Sequence, residues 1–226
     1  MELKNSTLYV IATPIGNLED ITYRAVDVLR HTDALICEDT RITVRLLKRY
    51  DIPHKTLITH YKHREEKAVE PVLQILREGK NCALVSDAGT PGISDPGFFL
   101  VTEVLKAGFG VVPVPGPSAV TALLSVSHIP NQRFYFEGFL PHKKGRQTRL
   151  KFLAAMDCGV VFYESTHRIM KFLNEILEHF GDRGILVGRE LTKLHETIFR
   201  GSVGEALAYF TEHSVKGEFV VFVNSE

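Results

Sequence analysis

Residues 81–96 read NCALVSDAGTPGISDP. The apolar run CALV at 82–85 has the length of a buried strand. It opens into SDAGTPGISDP, eleven residues that hold two glycines, two prolines and two aspartates. Glycine lets a backbone approach a ligand closely, and proline leaves a loop fewer conformations to lose. Residues 96–107 then carry a helical pattern, with a proline at the start and Gly108 beyond the end. A strand that leaves through such a loop into a helix is the repeating unit of a parallel α/β sheet. The loop is costly unless something sits against its backbone.

The pattern extends in both directions. Toward the N-terminus, strands are expected at 7–12 (TLYVIA), 34–37 (ALIC) and 57–59, and helices at 21–30, 40–50 and 65–78. Asp20 or Thr22 would cap the first helix. Toward the C-terminus, a strand at 111–114 leads into PVPGP, where the alternation is interrupted. The domain junction is placed there, giving an N-terminal α/β domain of residues 1–114 and a C-terminal α/β domain of residues 115–226. The second domain reads as helix 118–125, strand 134–137, helix 148–156, strand 160–162, helix 168–180, strand 184–187, helix 204–210 and strand 219–224. Antiparallel pairing is more expected in this half.

Composition sets outer limits. The chain has 226 residues, 44% hydrophobic and 24% charged, with 27 Lys+Arg against 27 Asp+Glu. Bulk charge therefore does not drive binding to nucleic acid, and any basic surface must be local. Cys37, Cys82 and Cys158 have no metal or redox spacing and read as reduced, buried thiols. The N-terminus is too short and polar for a signal peptide, and no window reaches the ~18 apolar residues of a membrane span. A cytoplasmic protein without a membrane partner is the expectation.

Ligands of open α/β sheets bind outside the carboxyl ends of strands. Three loops stand there: TPIGNLED at 13–20, the 86–96 loop, and PGPSA at 115–119. Each taken alone also reads as a tight turn. Together they suggest a backbone-lined pocket for a small, partly apolar ligand. The first is neither a P-loop nor GxGxxG, and Glu19 and Asp20 oppose an anion. EDTR at 38–41 adds Glu38, Asp39 and Arg41 beside these loops. Asp39 either caps the next helix and pairs with Arg41, or a carboxylate there holds or deprotonates a hydroxyl.

The run PHKKGRQTRLK at 141–151 carries Lys143, Lys144, Arg146, Arg149 and Lys151 with no acid. It is either a solvated face or a phosphate-contacting surface, with Gly145 marking a mobile or tightly turned tip. His54, Lys55, His60, Lys62, His63 and Arg64 form a weaker basic stretch. ESTHR at 164–168 and GRELTKLHE at 188–196 follow strands of the second domain and mix acids with bases. They lack zinc spacing and a serine-hydrolase elbow, so no metal is expected.

LYVIATPIGNLEDITYRAVDVL, ICEDTR, SDAGTPGISDPG, PVPGPSA, FEGFLPHKKGR, FYESTHRI, GRELTKLHE and KGEFV, running in this order from Leu8 to Val220, carry a resemblance. The chain resembles the ribosomal small-subunit RNA methyltransferase I family, a branch of the tetrapyrrole methylase superfamily of class III methyltransferases. The resemblance implies a two-domain α/β tetrapyrrole methylase-like fold with S-adenosylmethionine in the interdomain cleft. It implies 2′-O-methylation of a decoding-centre cytidine, cytidine 1402, in 16S rRNA of the small ribosomal subunit. A homodimer is also implied, as is a further C-terminal helical segment in most members. Methylation of a tetrapyrrole or another small molecule is the alternative.

By the same resemblance, the cofactor is contacted by Gly89, Thr90 (where many relatives have Asp), Asp87, Ile93, Pro14, Ser118 and Ala119. Phe162, Tyr163 and Leu191 are implied neighbours of its adenosyl part. Arg41, Lys144, Arg146, Glu164, Arg168, Arg189 and Glu190 are the candidates for holding RNA. The general base stays open among Glu38, Asp39, Lys193 and His195.

Overall fold

A computed structural model describes residues 3–53, 55–61 and 65–225. The chain divides into two compact units, Met1–Ser118 and Ala119–Glu226.

In the first unit, β1 (Thr7–Ile11), α1 (Tyr23–His31), β2 (Ala34–Cys37), α2 (Thr40–Arg49), β3 (Thr56–Thr59), α3 (Glu66–Arg77), β4 (Cys82–Val85), α4 (Phe98–Lys106) and β5 (Gly110–Val114) alternate along the chain. The strands form a parallel sheet in the order β3-β2-β4-β1-β5. Strands β2 and β4 are buried at every position, as parallel strands covered on both faces must be. Alternation along the strands sorts the core in two. Tyr9, Ile11, Leu35, Cys37 and Val85 meet α1 and α2 on one face. Leu8, Ile36, Cys82 and Leu84 meet α3 and α4 on the other. Of the two expected caps for α1, Thr22 does the work: its hydroxyl accepts from the Ala25 amide at 3.1 Å.

The second unit holds α5 (Ala119–Leu124), β6 (Phe134–Phe139), α6 (Arg146–Ala154), β7 (Gly159–Ser165), α7 (Ile169–Phe180), β8 (Gly184–Arg189), β9 (Thr197–Ser202), α8 (Val203–Glu212) and β10 (Glu218–Val223). Its sheet order is β6-β7-β10-β8-β9, with β6 and β7 parallel and the other pairs antiparallel. Phe162, Phe172, Phe180, Val221 and Phe210 fill the core between one sheet face and α6, α7 and α8. Strand β9 replaces what the sequence reads as loop. Its C-terminal residue Ser202 forms a capping box with Glu205 at the start of α8.

Cys37 and Cys82 are buried free thiols, as expected, whereas Cys158 is only partly buried. Burial pushes Cys82 up to about 12, so its thiol stays protonated. Among the described residues, no helix is long and apolar enough to cross a membrane.

Candidate active site

The sheet order of the first unit decides where a ligand fits. Strand β4 lies between β2 and β1. The helices that follow β1 and β2 cover one face, and α4, which follows β4, covers the other. Connections diverge on both sides of β4, which makes its carboxyl end a topological switch point. The 86–97 loop begins there.

That loop is pinned to both neighbouring strand ends. On the β1 side, the Thr13 amide donates to the Gly89 carbonyl at 2.8 Å, and the Gly89 amide returns the bond at 3.0 Å. The buried Thr13 hydroxyl donates to the Ser86 carbonyl at 3.0 Å. On the β2 side, the Asp39 amide donates to Asp87 Oδ1 at 3.1 Å. The far end of the loop is held by the Glu65 carboxylate, which accepts from the Gly97 amide at 3.3 Å. Gly89, Gly92 and Gly97 all have positive φ, and Gly97 at 146° has a conformation open in practice only to glycine. A Cβ at Gly97 would sit 3.1 Å from Leu84 Cδ2 and 3.3 Å from the Gly92 amide.

Pro14 and Gly89 are buried, Asp87 and Thr90 are half-buried, and Ile93 is exposed. The loop after β5 closes on the same edge: a Cβ at Gly116 would meet Ala12 Cβ at 3.1 Å and its carbonyl oxygen at 3.2 Å. Ser118 ends this unit, and Ala119 opens α5. Pro14, Asp87, Gly89 and Thr90 are thus gathered at one sheet edge. Burial raises the Asp87 carboxyl above its ordinary value, and the Asp39 amide opposes part of that rise.

Glu38 and Asp39 follow β2 at this edge. Asp39 caps α2 by accepting from the Arg41 amide at 2.8 Å, and its carboxylate grips the Arg41 guanidinium at 2.6 Å. These bonds hold its carboxyl down to about 2. Asp39 is therefore corrected from candidate base to helix cap, since a group so acidic is a poor proton acceptor. Glu38 is half-buried beside it. Arg41 is held by Asp39 and remains largely exposed.

Of the weaker basic stretch only Lys55 and His60 are described, and both are engaged within the fold. Lys55 donates to the carbonyls of Arg30 at 2.6 Å and Thr32 at 2.7 Å. His60 is buried. His54, Lys62, His63 and Arg64 lie outside the described residues.

In the second unit, several expected ligand-binding side chains belong to the interior. Phe162 is fully buried against Phe172 and Phe180, so its ring cannot meet a cofactor. Arg146 is 4% exposed and ion-paired with Glu175 at 2.6 Å. Glu164 is 2% exposed and pairs with Arg168 at 2.8 Å. Arg189 donates to the carbonyls of Lys216 at 2.7 Å and His195 at 3.0 Å. The RNA-holding roles expected of Arg146, Glu164 and Arg189 give way to structural ones, because each charge is spent inside the fold. Gly145 is a tight turn at φ 81° leading directly into α6.

The loop after β8 is wound tightly. Glu190 and Thr192 have positive φ, at 51° and 66°. Lys193 bridges Glu190 at 2.9 Å and Glu218 at 2.7 Å. Burial alone would lower the Lys193 pKa, but the Glu218 and Glu190 carboxylates outweigh it and hold the ammonium above its ordinary value. Lys193 is corrected from candidate base to a loop-bracing cation, and Glu190 serves the same brace. Leu191 is buried against Gly188, and His195 is exposed. Tyr163 and Lys144 keep accessible side chains. Among the described residues, no cluster of His, Cys, Asp and Glu is arranged to hold a metal ion.

Residues 7–207 match the tetrapyrrole (corrin/porphyrin) methylase family. A ribosomal RNA small subunit methyltransferase I of Thermotoga maritima is 46% identical over 219 residues, covering 97% of this chain and 98% of the relative. The one of Escherichia coli O157:H7 is 47% identical over 220 residues, covering 96% of this chain and 77% of the relative. Among solved structures, a cobalt precorrin-4 methyltransferase superposes with a TM-score of 0.73 at 20% identity, covering 97% of this chain and 95% of that one. The two-sheet fold and the loop-lined edge of β4 thus coincide with a match over nearly the whole sequence, and the chain belongs to the tetrapyrrole methylase family and, within it, to the ribosomal RNA small subunit methyltransferase I family.

Proposed function

We propose that the protein transfers a methyl group from S-adenosylmethionine to small-subunit ribosomal RNA, on the ribose 2′-oxygen of a decoding-centre cytidine. The observation that supports methylation of small-subunit ribosomal RNA is the 46–47% identity to relatives named ribosomal RNA small subunit methyltransferase I, over 96–97% of this chain, and the ribose oxygen rests on the family resemblance. The precorrin enzyme shares the fold alone and lends no support to a tetrapyrrole substrate.

The edge fits the cofactor chemically. S-adenosylmethionine supplies an electrophilic methyl on a sulfonium cation. Glu38 and Asp87 bring negative charge to this edge, which suits a cation and a ribose diol and opposes a phosphate-bearing cofactor. The peptide groups around Gly89 and Thr90 would hold polar atoms of the cofactor, and Pro14 and Ile93 would cover apolar ones. The family resemblance adds Ser118 and Ala119 as proposed cofactor contacts.

Glu38 is the residue assigned to the hydroxyl proton. It stands half-buried at the carboxyl end of β2, directly before Asp39, whose amide is bonded to the 86–97 loop. Its role would be to orient the ribose and accept the 2′-OH proton as the oxygen–carbon bond forms and the methyl carbon–sulfur bond breaks, leaving the thioether S-adenosylhomocysteine. Lys144 supports RNA through its charge. The family also leads us to propose a cytoplasmic homodimer, which sedimentation of the purified protein tests.

The test supplies the protein with methyl-labelled S-adenosylmethionine and small ribosomal subunits that lack the modification. Label in the RNA supports the reading. Cofactor binding without label in RNA overturns it.

A further inference from the structure

Resting on the RNA reading above, we propose that Phe139 is a stacking platform for an unpaired RNA base, flanked by cations that hold the adjoining phosphates. The platform is built by an irregularity in β6. Phe136 pairs with Val161 and Gly138 with Phe162, so Glu137 is an extra residue in the ladder. Gly138, at φ 70°, absorbs the bend. In a regular strand Phe136 and Phe139 would point to opposite faces. The bulge turns both toward Tyr163, with ring centroids 5.2 Å and 5.6 Å from it. The displaced Glu137 is consumed by Arg149 at 2.6 Å.

Phe139 remains 50% exposed at the end of this aromatic step. The guanidinium of Arg168 lies 6.0 Å from its ring centroid, and Arg168 Nη1 lies 3.1 Å from His142 Nε2. Lys143 and Lys144 follow, both exposed. Among the described residues neither is ion-paired, and FLPHKKGR contains no acid. Arg168 is ion-paired from beneath with buried Glu164 at 2.8 Å, so the charge offered to phosphates is that of Lys143 and Lys144. The segment is held firmly from beneath, because Arg146 donates to the Pro141 carbonyl at 3.0 Å while its other nitrogens clasp Glu175. An exposed ring with a cationic rim on a fixed support matches single-stranded RNA, whose bases stack on aromatics while phosphates seek cations. A second copy of this chain fits poorly, since it would bring like cations together.

The chain has no tryptophan, so Phe139→Trp installs a single fluorescent reporter at the proposed contact. Titration with a short single-stranded oligocytidine is expected to quench the indole with saturation. Lys143→Ala combined with Lys144→Ala is expected to reduce the salt slope of binding by about 1.4. Phe139→Ala is expected to raise KM for small subunits on the order of ten-fold, far more than it lowers kcat, with S-adenosylmethionine affinity kept. Phe139→Tyr restores KM. An unquenched indole, or an unchanged KM for Phe139→Ala in an active enzyme, overturns the platform while leaving the RNA reading intact. A wild-type protein that binds cofactor but methylates no subunit overturns that reading, and the platform with it. Self-association through the patch, lost in Phe139→Ala, also overturns the proposal.

Discussion

Glu38 and Asp39 are adjacent in sequence but have different fates. Asp39 is fixed by the α2 cap and Arg41, and a carboxyl held to about 2 does not take protons near neutrality. Glu38→Gln is expected to lower the methyl-transfer rate by about 10²–10⁴-fold, the usual share of a general base. Asp39→Asn keeps the cap and should cost far less. Lys193→Met should leave the pH profile of transfer unchanged. Single-turnover rates at saturating cofactor measure all three, and a Lys193 effect larger than that of Glu38 would reverse the assignment. Arg146 belongs to a different class. Arg146→Met strands Glu175 as a buried carboxylate without its guanidinium and is expected to cost about 3–5 kcal/mol. Adding Glu175→Met should recover part of this, as read from denaturant melts. His60 makes a third case. Its ring is 1% exposed and lies 3.4 Å from Glu65. Burial lowers its pKa, and Glu65 offsets only part of that. The unfolded chain therefore binds the proton first as pH falls below about 6.5. Stability from neutral His60 is complete above that value and declines below it. His60→Gln should flatten this acid limb of the melting temperature, and an unchanged limb would contradict it.

At the level of elements, the loop after β4 depends on glycines at positive φ, one of which, Gly97, is in a conformation closed to other residues. Gly97→Ala places a methyl against Leu84 and the Gly92 amide, with about 1–3 kcal/mol of strain. Calorimetry should show cofactor affinity falling sharply. Gly108, at the far end of α4, also has a positive φ, 83°, but open space around it, and Gly108→Ala should reduce stability modestly while sparing affinity. Equal affinity losses would contradict the loop's role. The parallel alternation of the first unit was legible because β2 and β4 are short apolar runs bounded by turn residues. Strand β9 was not, since TIFRGS is too weakly alternating to stand apart from its loop. Its one clear signal was Ser202 followed by Glu205, the start of α8. The loops of the site were legible from their glycines and prolines. The commitments of the charged side chains were not. Arg146 finds Glu175 29 residues away, and Lys193 finds Glu218 at a separation of 25, pairings that only the folded sheet creates.

For the molecule as a whole, neutrality is informative. With 27 positive and 27 negative side chains, attraction to RNA must come from placement rather than quantity. The first unit contributes glycine-shaped loops and a carboxylate at a switch point. The second contributes Phe139 with Lys143 and Lys144. Many basic residues that look available in sequence, among them Lys55, Arg146 and Arg189, serve the interior. The central claim is that the methyl group goes to a ribose oxygen. Alkaline hydrolysis of RNA requires a free 2′-OH beside the bond it breaks. The most direct measurement is therefore alkaline digestion of small-subunit RNA after transfer from methyl-labelled S-adenosylmethionine, followed by separation of the products by size. The account predicts label in an alkali-resistant dinucleotide with cytidine as its methylated member. Label in mononucleotides would place the methyl on a base and contradict the account.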